Sequence, residues 1–164
     1  MLERQTKKRI CQIDLDDKSI IRRNSDIEHE RRVAIFDLLE TNHFEPIVEI
    51  PDNYDGPYHV TLRIEDNRLA IDLRTEQKKS LTTMVLPLSP LRKVIKEYFL
   101  VCDSYFDAVK KSSTQQIEAI DIGRRALHNE GSLIMQSRLE NKVKIDFETA
   151  RRLFTLICVL QIRS

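Results

Sequence analysis

The sequence predicts an α+β fold, in which an antiparallel β-meander of three to five strands packs against about four α-helices. Two neighbouring segments, residues 58–65 and 69–74, alternate apolar with polar side chains, as strands with one buried face do, and an apolar segment follows at residues 81–88. Four other segments repeat apolar residues every three or four positions, as amphipathic helices do. The 164 residues are the length of one domain. We therefore predict a flexible N-terminal segment over residues 1–9 and a single domain over residues 10–164.

The meander is the most clearly marked part of the predicted sheet. Residues 58–65 and 69–74 alternate around the turn formers Asp66-Asn67, which predicts a β-hairpin. An apolar segment at residues 81–88 supplies the third strand. Two shorter segments predict additional strands, at residues 10–15 and 142–145.

The predicted helices begin at residues whose side chains cap helix N-termini. These capping residues are Ser25, Ser89, Ser113 and Asp146. The helices are predicted over residues 26–41, 89–110 and 147–160, and the third runs from residue 114 to residue 130, or to residue 140 if it resumes past Gly131. Residues 98–102 are apolar on every side, which predicts that the second helix is central and forms the core with the C-terminal helix. Gly131 either ends the third helix, with a new helix starting at Ser132, or marks close packing within a continuous one.

The charge balance argues against a dedicated nucleic-acid-binding protein. Lys and Arg number 27 against 26 Asp and Glu, whereas binding to phosphates favours a basic excess. Four arginine doublets are nevertheless present, at Arg22-Arg23, Arg31-Arg32, Arg124-Arg125 and Arg151-Arg152. Acidic residues flank most of them, which favours a salt-bridged surface over a phosphate- or RNA-binding face.

The cysteines and histidines predict neither a metal nor a cofactor. Cys11, Cys102 and Cys158 are widely spaced and form no CxxC pair, so we expect reduced thiols and a cytoplasmic protein. His29-Glu30 starts like a zinc-binding helix, but Val33 stands where the second histidine is needed. Neither a secretory signal nor an apolar run long enough to span a membrane is found.

The third helix carries the candidate site. Asp121, Arg124, Arg125 and His128 lie on or beside its apolar arc, at the i, i+3, i+4 and i+7 spacing that shares one side of a helix. One interpretation is an anion or carboxylate pocket, in which the arginines bind and His128 transfers a proton. The other is a semi-buried ion-pair network that fixes how the helix docks. No nucleophile accompanies the cluster, so we predict no catalytic residue.

Four segments resemble a known family across nearly the whole chain, from about residue 10 to residue 163. They are NSDIEHERRVAIFDLLE, YFLVCDSYFDAV, QQIEAIDIGRRALHNEGS and DFETARRLFTLICVL. Together they resemble uncharacterised protein family 0262, a small alphaproteobacterial family. The resemblance implies a bacterial cytoplasmic protein. It implies no activity and therefore no catalytic residue.

Three functions are compatible with these observations. The first is a non-enzymatic interaction or regulatory module, whose partner is another protein or a second copy of the chain. The second is a small-molecule or phosphoryl-ligand binding protein, or an enzyme, that uses the cluster on the third helix. The third is an RNA-associated protein that uses the arginine doublets. A second face of the third helix, formed by Ala119, Gly123 and Ala126, allows another helix or a ligand to approach closely.

Overall fold

The computed structural model describes residues 7–16, 25–111 and 113–161, with the side chains of Ser25 and Asp26 outside that description. The elements follow in the order β1 (Ile10–Leu15), α1 (Ser25–Glu40), β2 (Phe44–Pro46), β3 (Tyr58–Glu65), β4 (Arg68–Arg74), β5 (Ser80–Pro87), α2 (Ser89–Lys111), α3 (Thr114–Leu139), β6 (Val143–Ile145) and α4 (Phe147–Gln161). The predicted α+β class is confirmed. The capping box predicted at Ser25 and the expectation for residues 1–6 lie outside the described part.

The predicted meander is confirmed, but the main sheet is mixed. β3, β4 and β5 pair antiparallel, and the Asp66-Asn67 turn has the positive φ angles, 51° and 65°, that a tight hairpin turn needs. β1 adds to β3 in parallel, which gives the order β1-β3-β4-β5. The connection between the two strands includes α1 and is long enough for the crossover that parallel strands need, so that both begin at the same end of the sheet.

The outward face of the meander is polar and carries its own ion pair. Arg63 Nε donates to Asp72 Oδ2 across β3 and β4, at 2.9 Å. Thr83 on β5 donates its hydroxyl to Asp72 Oδ1 at 2.6 Å. Arg63 is thus an arginine that is paired with a carboxylate on the sheet, and it serves as a reference for the arginines of the helices.

The strand predicted at residues 142–145 forms, but away from the main sheet. β6 pairs antiparallel with β2 in a separate two-stranded sheet. A buried threonine secures the neighbouring chain, since Thr149 Oγ1 accepts a hydrogen bond from the backbone N–H of His43 at 3.0 Å. This small sheet therefore ties the end of α1 to the start of α4.

α3 is one continuous helix through Gly131. Its predicted start is confirmed, because Ser113 Oγ accepts from the Gln116 N–H and Gln116 Oε1 accepts from the Ser113 N–H. An ideal Cβ at Gly131 would lie 2.2 Å from the Phe154 ring of α4. Of the two predicted roles of this glycine, close packing within a continuous helix is therefore confirmed.

The prediction that the second helix is central is wrong, because α4 holds that place, but α2 does form the core together with the C-terminal helix, as predicted. α4 contacts α1, α3 and β3, and most of its side chains are buried. α2 packs along α3 and leaves Leu100 and Val109 exposed, at 61% and 53% of their surfaces. A locally apolar run does not guarantee burial on every side, because folded surfaces retain much apolar area. The core lies between the sheet and the helices, all four of which contribute buried side chains, and its largest fully buried side chains include Leu62, Ile71 and Phe154.

Among the described residues, no helix is both long enough and apolar enough to cross a bilayer. Cys11, Cys102 and Cys158 are free thiols, and the last two are buried.

Candidate ligand-binding cleft

An open cleft of about 350 Å³ lies among three helices, α1, α3 and α4, with Tyr98 of α2 at its edge. α3 contributes Arg124, Arg125 and His128 to its lining. α4 contributes Arg151, Arg152 and Thr155 at the same i, i+1, i+4 spacing, which presents one side of a helix. Cavities of this size are typical of small-molecule sites.

Asp121 positions the two arginines of α3. Its Oδ1 accepts from Arg124 Nε at 3.1 Å and from Arg124 Nη2 at 2.6 Å, while Oδ2 lies 2.7 Å from Arg125 Nη2. The hydrogen bonds from Arg124 hold the pKa of Asp121 below its ordinary value, so the carboxylate is ionised at neutral pH. The Arg124 guanidinium also lies over the Tyr105 ring, 5.0 Å from its centroid. Arg124 is therefore fixed before any ligand arrives.

His128 is a buried, neutral imidazole at the wall of the cleft. Only 8% of its surface is exposed, and its ring contacts Tyr98 and Phe154. Burial, followed by the positive charges of Arg151 and Arg124, lowers the pKa of His128 to about 4. At neutral pH the ring is therefore uncharged and a weak base, so hydrogen bonding suits it better than the proton transfer considered from the sequence.

The tautomer of His128 follows from its partner. Nε2 lies 2.7 Å from the Thr155 hydroxyl oxygen, and that hydroxyl donates its own proton to the carbonyl of Arg151 at 3.2 Å. Nε2 is then the donor, which leaves the lone pair on Nδ1. Within the described part of the chain, Nδ1 is buried and has no hydrogen-bond partner.

Glu148 is the carboxylate that the two arginines of α4 share. Its Oε1 lies 3.5 Å from Arg151 Nη1, and its Oε2 accepts a short hydrogen bond from Arg152 Nη1. The bond from Arg152 lowers the pKa of Glu148. Arg152 also lies 4.0 Å from Asp37 of α1. The Nε of Arg151 is buried with no partner among the residues that the structure describes.

The guanidinium donors outnumber the acceptors close to them. Four guanidinium groups line the cleft, and each offers five N–H groups as donors. In the described residues their carboxylate partners within 3.5 Å are Asp121 and Glu148, each shared by two arginines. Donors therefore remain for an anion, and carboxylate and phosphate oxygens match the guanidinium fork.

The α1 side of the cleft is acidic and partly apolar. It carries Glu30 and Asp37, with Val33 and Ala34 between them. Burial, followed by the neighbouring Cys102 and Glu30, raises the pKa of Tyr98, so its phenol stays protonated. The cleft thus joins charged, polar and apolar surfaces.

Sequence reasoning located the α3 part of this cleft. Arg124, Arg125 and His128 line it, and Asp121 bonds to both arginines from beside it. Two of the doublets, on α3 and α4, lie on the same cleft, whereas Arg31-Arg32 is not part of its lining. Arg22-Arg23 lies outside the described residues.

Other cleft residues were missed. The contributions of Tyr98 and Glu30 had no local signal, because tertiary packing alone brings α1 and α2 to α3. Thr155 had one, since it is a polar side chain one turn after Arg151 in an otherwise apolar helix. In the described part of the chain, no group of three His, Cys, Asp or Glu side chains is placed to hold a metal ion.

Comparison with known proteins identifies the family. A family model described as Uncharacterised protein family (UPF0262) matches residues 7–163. A UPF0262 protein of Sphingopyxis alaskensis is 51% identical over 156 residues, which cover 95% of this chain and 94% of that protein. A UPF0262 protein of Azorhizobium caulinodans is 54% identical over 153 residues, 93% of each chain. No solved structure matches. The predicted resemblance is confirmed, and the chain belongs to the uncharacterised protein family UPF0262.

Proposed function

We propose that this protein binds a small ligand through an anionic group, in the cleft among α1, α3 and α4. The supporting observation is that four guanidinium groups line one cleft and share two close carboxylates. Arg124 is held by Asp121 and Tyr105, so little conformational entropy is lost when it binds. Arg151 lines the same cleft, and its buried Nε has no hydrogen-bond partner among the described residues.

In its proposed role the protein is a non-enzymatic regulatory module, and the bound ligand controls its interaction with a partner. A neutral His128 with a pKa of about 4 accepts a hydrogen bond but removes few protons at neutral pH. Ligand binding at a junction of three helices stabilises the arrangement that binds best, which is how a small molecule regulates an interaction. The three free thiols support the cytoplasmic location that the sequence predicts.

A thermal-shift titration tests the binding proposal. The melting temperatures of the wild type, Arg124→Ala and Arg138→Ala are measured as phosphate, pyrophosphate, pentanoate or succinate is added. Arg138 is an exposed residue of α3 outside the cleft lining, so its variant is the matched control. A ligand at about 100 times its dissociation constant adds about 2.7 kcal/mol to stability, which raises the melting temperature by several degrees. A shift present in the wild type and Arg138→Ala but lost in Arg124→Ala supports the proposal. No shift with any anion, or one that Arg124→Ala retains, contradicts it.

A second candidate function is self-association through the outer face of α3. Ile122 and Leu133 expose 69% and 56% of their surfaces there, and nothing lies within 4 Å of a Cβ placed on Gly123. A two-fold axis midway along this face would set Ile122 of one copy opposite Leu133 of the next, with Ala126 and Asn129 between them. Sedimentation equilibrium tests it: Ile122→Glu should dissociate a dimer that the wild type forms. A wild type that is still monomeric at the highest concentration measured contradicts it.

The RNA alternative has less support. The cleft doublets on α3 and α4 are engaged by Asp121 and Glu148, and Glu30 and Asp37 face them. A phosphate backbone carries many charges, so it would meet these carboxylates as well as the arginines.

A further inference from the structure

The main sheet has one open edge, which is formed by β5. In the order β1-β3-β4-β5, this strand pairs on one side only, with β4. The β1 edge is protected at its start, because the Asn42 side chain accepts from the backbone N–H of Ile10 at 2.7 Å and donates to its carbonyl at 3.0 Å. Among the described residues, no hydrogen bond reaches the outer side of β5. Its outward backbone groups are therefore available to another strand.

The hydrogen bond of Leu88 indicates which residues of β5 point outward. The Leu88 N–H donates to the carbonyl of Asn67 at 3.2 Å, in register with the β4–β5 ladder. Residues that bond to the same neighbour alternate along an antiparallel strand. Residues 82, 84 and 86 therefore bond to β4, whereas Thr83 and Val85 turn both their N–H and their C=O groups outward.

The outward stretch is bounded at both ends. At its start the ladder to β4 is irregular, because Leu81 has no residue opposite it. At its end Pro87 has no backbone N–H to donate. A regular partner strand therefore finds a donor and an acceptor together at Thr83 and Val85. These two residues lie symmetrically about Met84.

β5 lacks the side chains that usually keep a sheet edge from pairing. Its 8 residues include no charged side chain, and its one proline is the last residue. Lys79, just before the strand, lies 3.8 Å from Asp52 of the same chain. Thr83 and Val85 are exposed, and both residue types favour strands. The edge is therefore suited to pairing with a strand.

We propose that β5 pairs antiparallel with β5 of a second copy of this chain, so that the two main sheets join across a two-fold axis. The axis passes beside Met84 and sets Thr83 of one copy opposite Val85 of the other. Each such pair exchanges both of its hydrogen bonds. A two-fold interface needs a surface that complements itself, and this one does, because the outward residues are symmetric about Met84 and the strand carries no charge to repel its copy. The inference is independent of the cleft, which lies among the helices.

Sedimentation velocity of the wild type, Val85→Pro and Val85→Ala tests the pairing. Concentrations up to about 1 mM are used, because interfaces of small area are weak. Proline removes the outward N–H of this edge residue without removing a bond to β4. The dimer dissociation constant of Val85→Pro should be at least about tenfold above that of the wild type, because each copy loses a hydrogen bond. Val85→Ala keeps the N–H and is the matched control, so its change should be smaller.

A pair of charged double variants tests the register. Thr83→Lys with Val85→Lys places like charges directly opposite each other across the axis and should abolish the dimer. Thr83→Lys with Val85→Glu places opposite charges there and should dimerise at least as well as the wild type. Both positions are exposed, so these variants keep the test decisive if Val85→Pro fails to fold.

Amide hydrogen exchange locates the contact in the wild type. The N–H groups of Thr83 and Val85 should exchange more slowly as the protein concentration rises through the dissociation constant. The N–H of Leu86, which bonds to β4 within one copy, should keep its rate and is the internal control.

Three results would overturn the inference. A wild type that stays monomeric at the highest concentration excludes a second copy as the partner of this edge. A dimer that Ile122→Glu dissociates and Val85→Pro leaves intact places the interface on α3 instead. A dimer that forms equally well in both charged double variants contradicts the pairing of Thr83 with Val85. None of these results bears on anion binding in the cleft.

Discussion

The ring of Phe154 on α4 fills the space that a side chain at Gly131 on α3 would need: a Cβ there would lie 2.2 Å from the ring. The absence of that side chain lets the two helices approach closely. One turn earlier on α3, the His128 ring meets the edge of the same Phe154, with centroids 5.2 Å apart, and His128 reaches Thr155. The wall of the cleft therefore depends on a contact outside its lining.

Gly131→Ala should destabilise the protein by about 1–3 kcal/mol, because the methyl group overpacks the α3–α4 contact. Gly123→Ala on the same helix is the matched control. Nothing lies within 4 Å of its Cβ, so alanine should stabilise the helix by about 1 kcal/mol. Urea unfolding at neutral pH measures both free energies of unfolding.

The steric explanation has its own check in a double variant. Gly131→Ala should lower the free energy of unfolding less in a Phe154→Leu background than in the wild type, because the smaller side chain makes room for the methyl group. Equal effects of Gly131→Ala and Gly123→Ala would contradict a close contact between α3 and α4.

The stability of the protein should fall as the pH drops from about 6.5 towards 4. The pKa of His128 is about 4 in the folded protein against an ordinary value of 6.5, so the unfolded chain binds the proton more readily. The stabilisation is complete above pH 6.5 and is lost as the pH falls through this window. The contribution of His128 between pH 7.5 and pH 5 is about 2 kcal/mol.

His128→Phe isolates this contribution, because phenylalanine preserves the ring contacts and cannot titrate. Its free energy of unfolding should fall less than that of the wild type between pH 7.5 and pH 5, while the other histidines contribute equally to both proteins. Parallel pH profiles for the two proteins would show that His128 titrates normally in the folded state.

The three cysteines should differ in their reaction with iodoacetamide at pH 8. Burial raises the pKa of Cys102 to about 11 and places that of Cys158 well above its ordinary value. Cys11 is only partly buried. Since the thiolate is the nucleophile, mass spectrometry of the native protein should find Cys11 modified first and the other two protected.

Unfolding provides the control for this experiment, because all three thiols should react alike in guanidinium chloride. Reaction of Cys158 at the native rate of Cys11 would contradict the burial of α4.

Local patterns predicted the elements better than their partners. The alternation around Asp66-Asn67 predicted the β3–β4 hairpin, because turn and pleat are set by neighbouring residues. The parallel pairing of β1 with β3 was missed, since a strand's partner is decided by how the rest of the chain packs. Likewise, the apolar run around Leu100 could not reveal that only one side of α2 is covered.

The candidate site divides in the same way. Asp121, Arg124 and His128 could be found together because helical spacing places them on one side of α3. Glu30 comes to the same cleft from a distant helix, and no periodicity in the sequence encodes that approach. The acidic α1 side of the cleft could therefore be recognised only from the folded chain.

The most direct test of anion binding follows the arginine Nε–H signals in the ¹H–¹⁵N spectrum of the labelled protein. Pentanoate is titrated into the sample, with Arg63 as an internal reference, since it pairs with Asp72 on the sheet. We expect the signals of Arg124 and Arg151 to shift along saturable curves with one dissociation constant, while that of Arg63 stays in place. If all three move in parallel without saturation, or Arg124 and Arg151 do not move, anion binding in the cleft is contradicted.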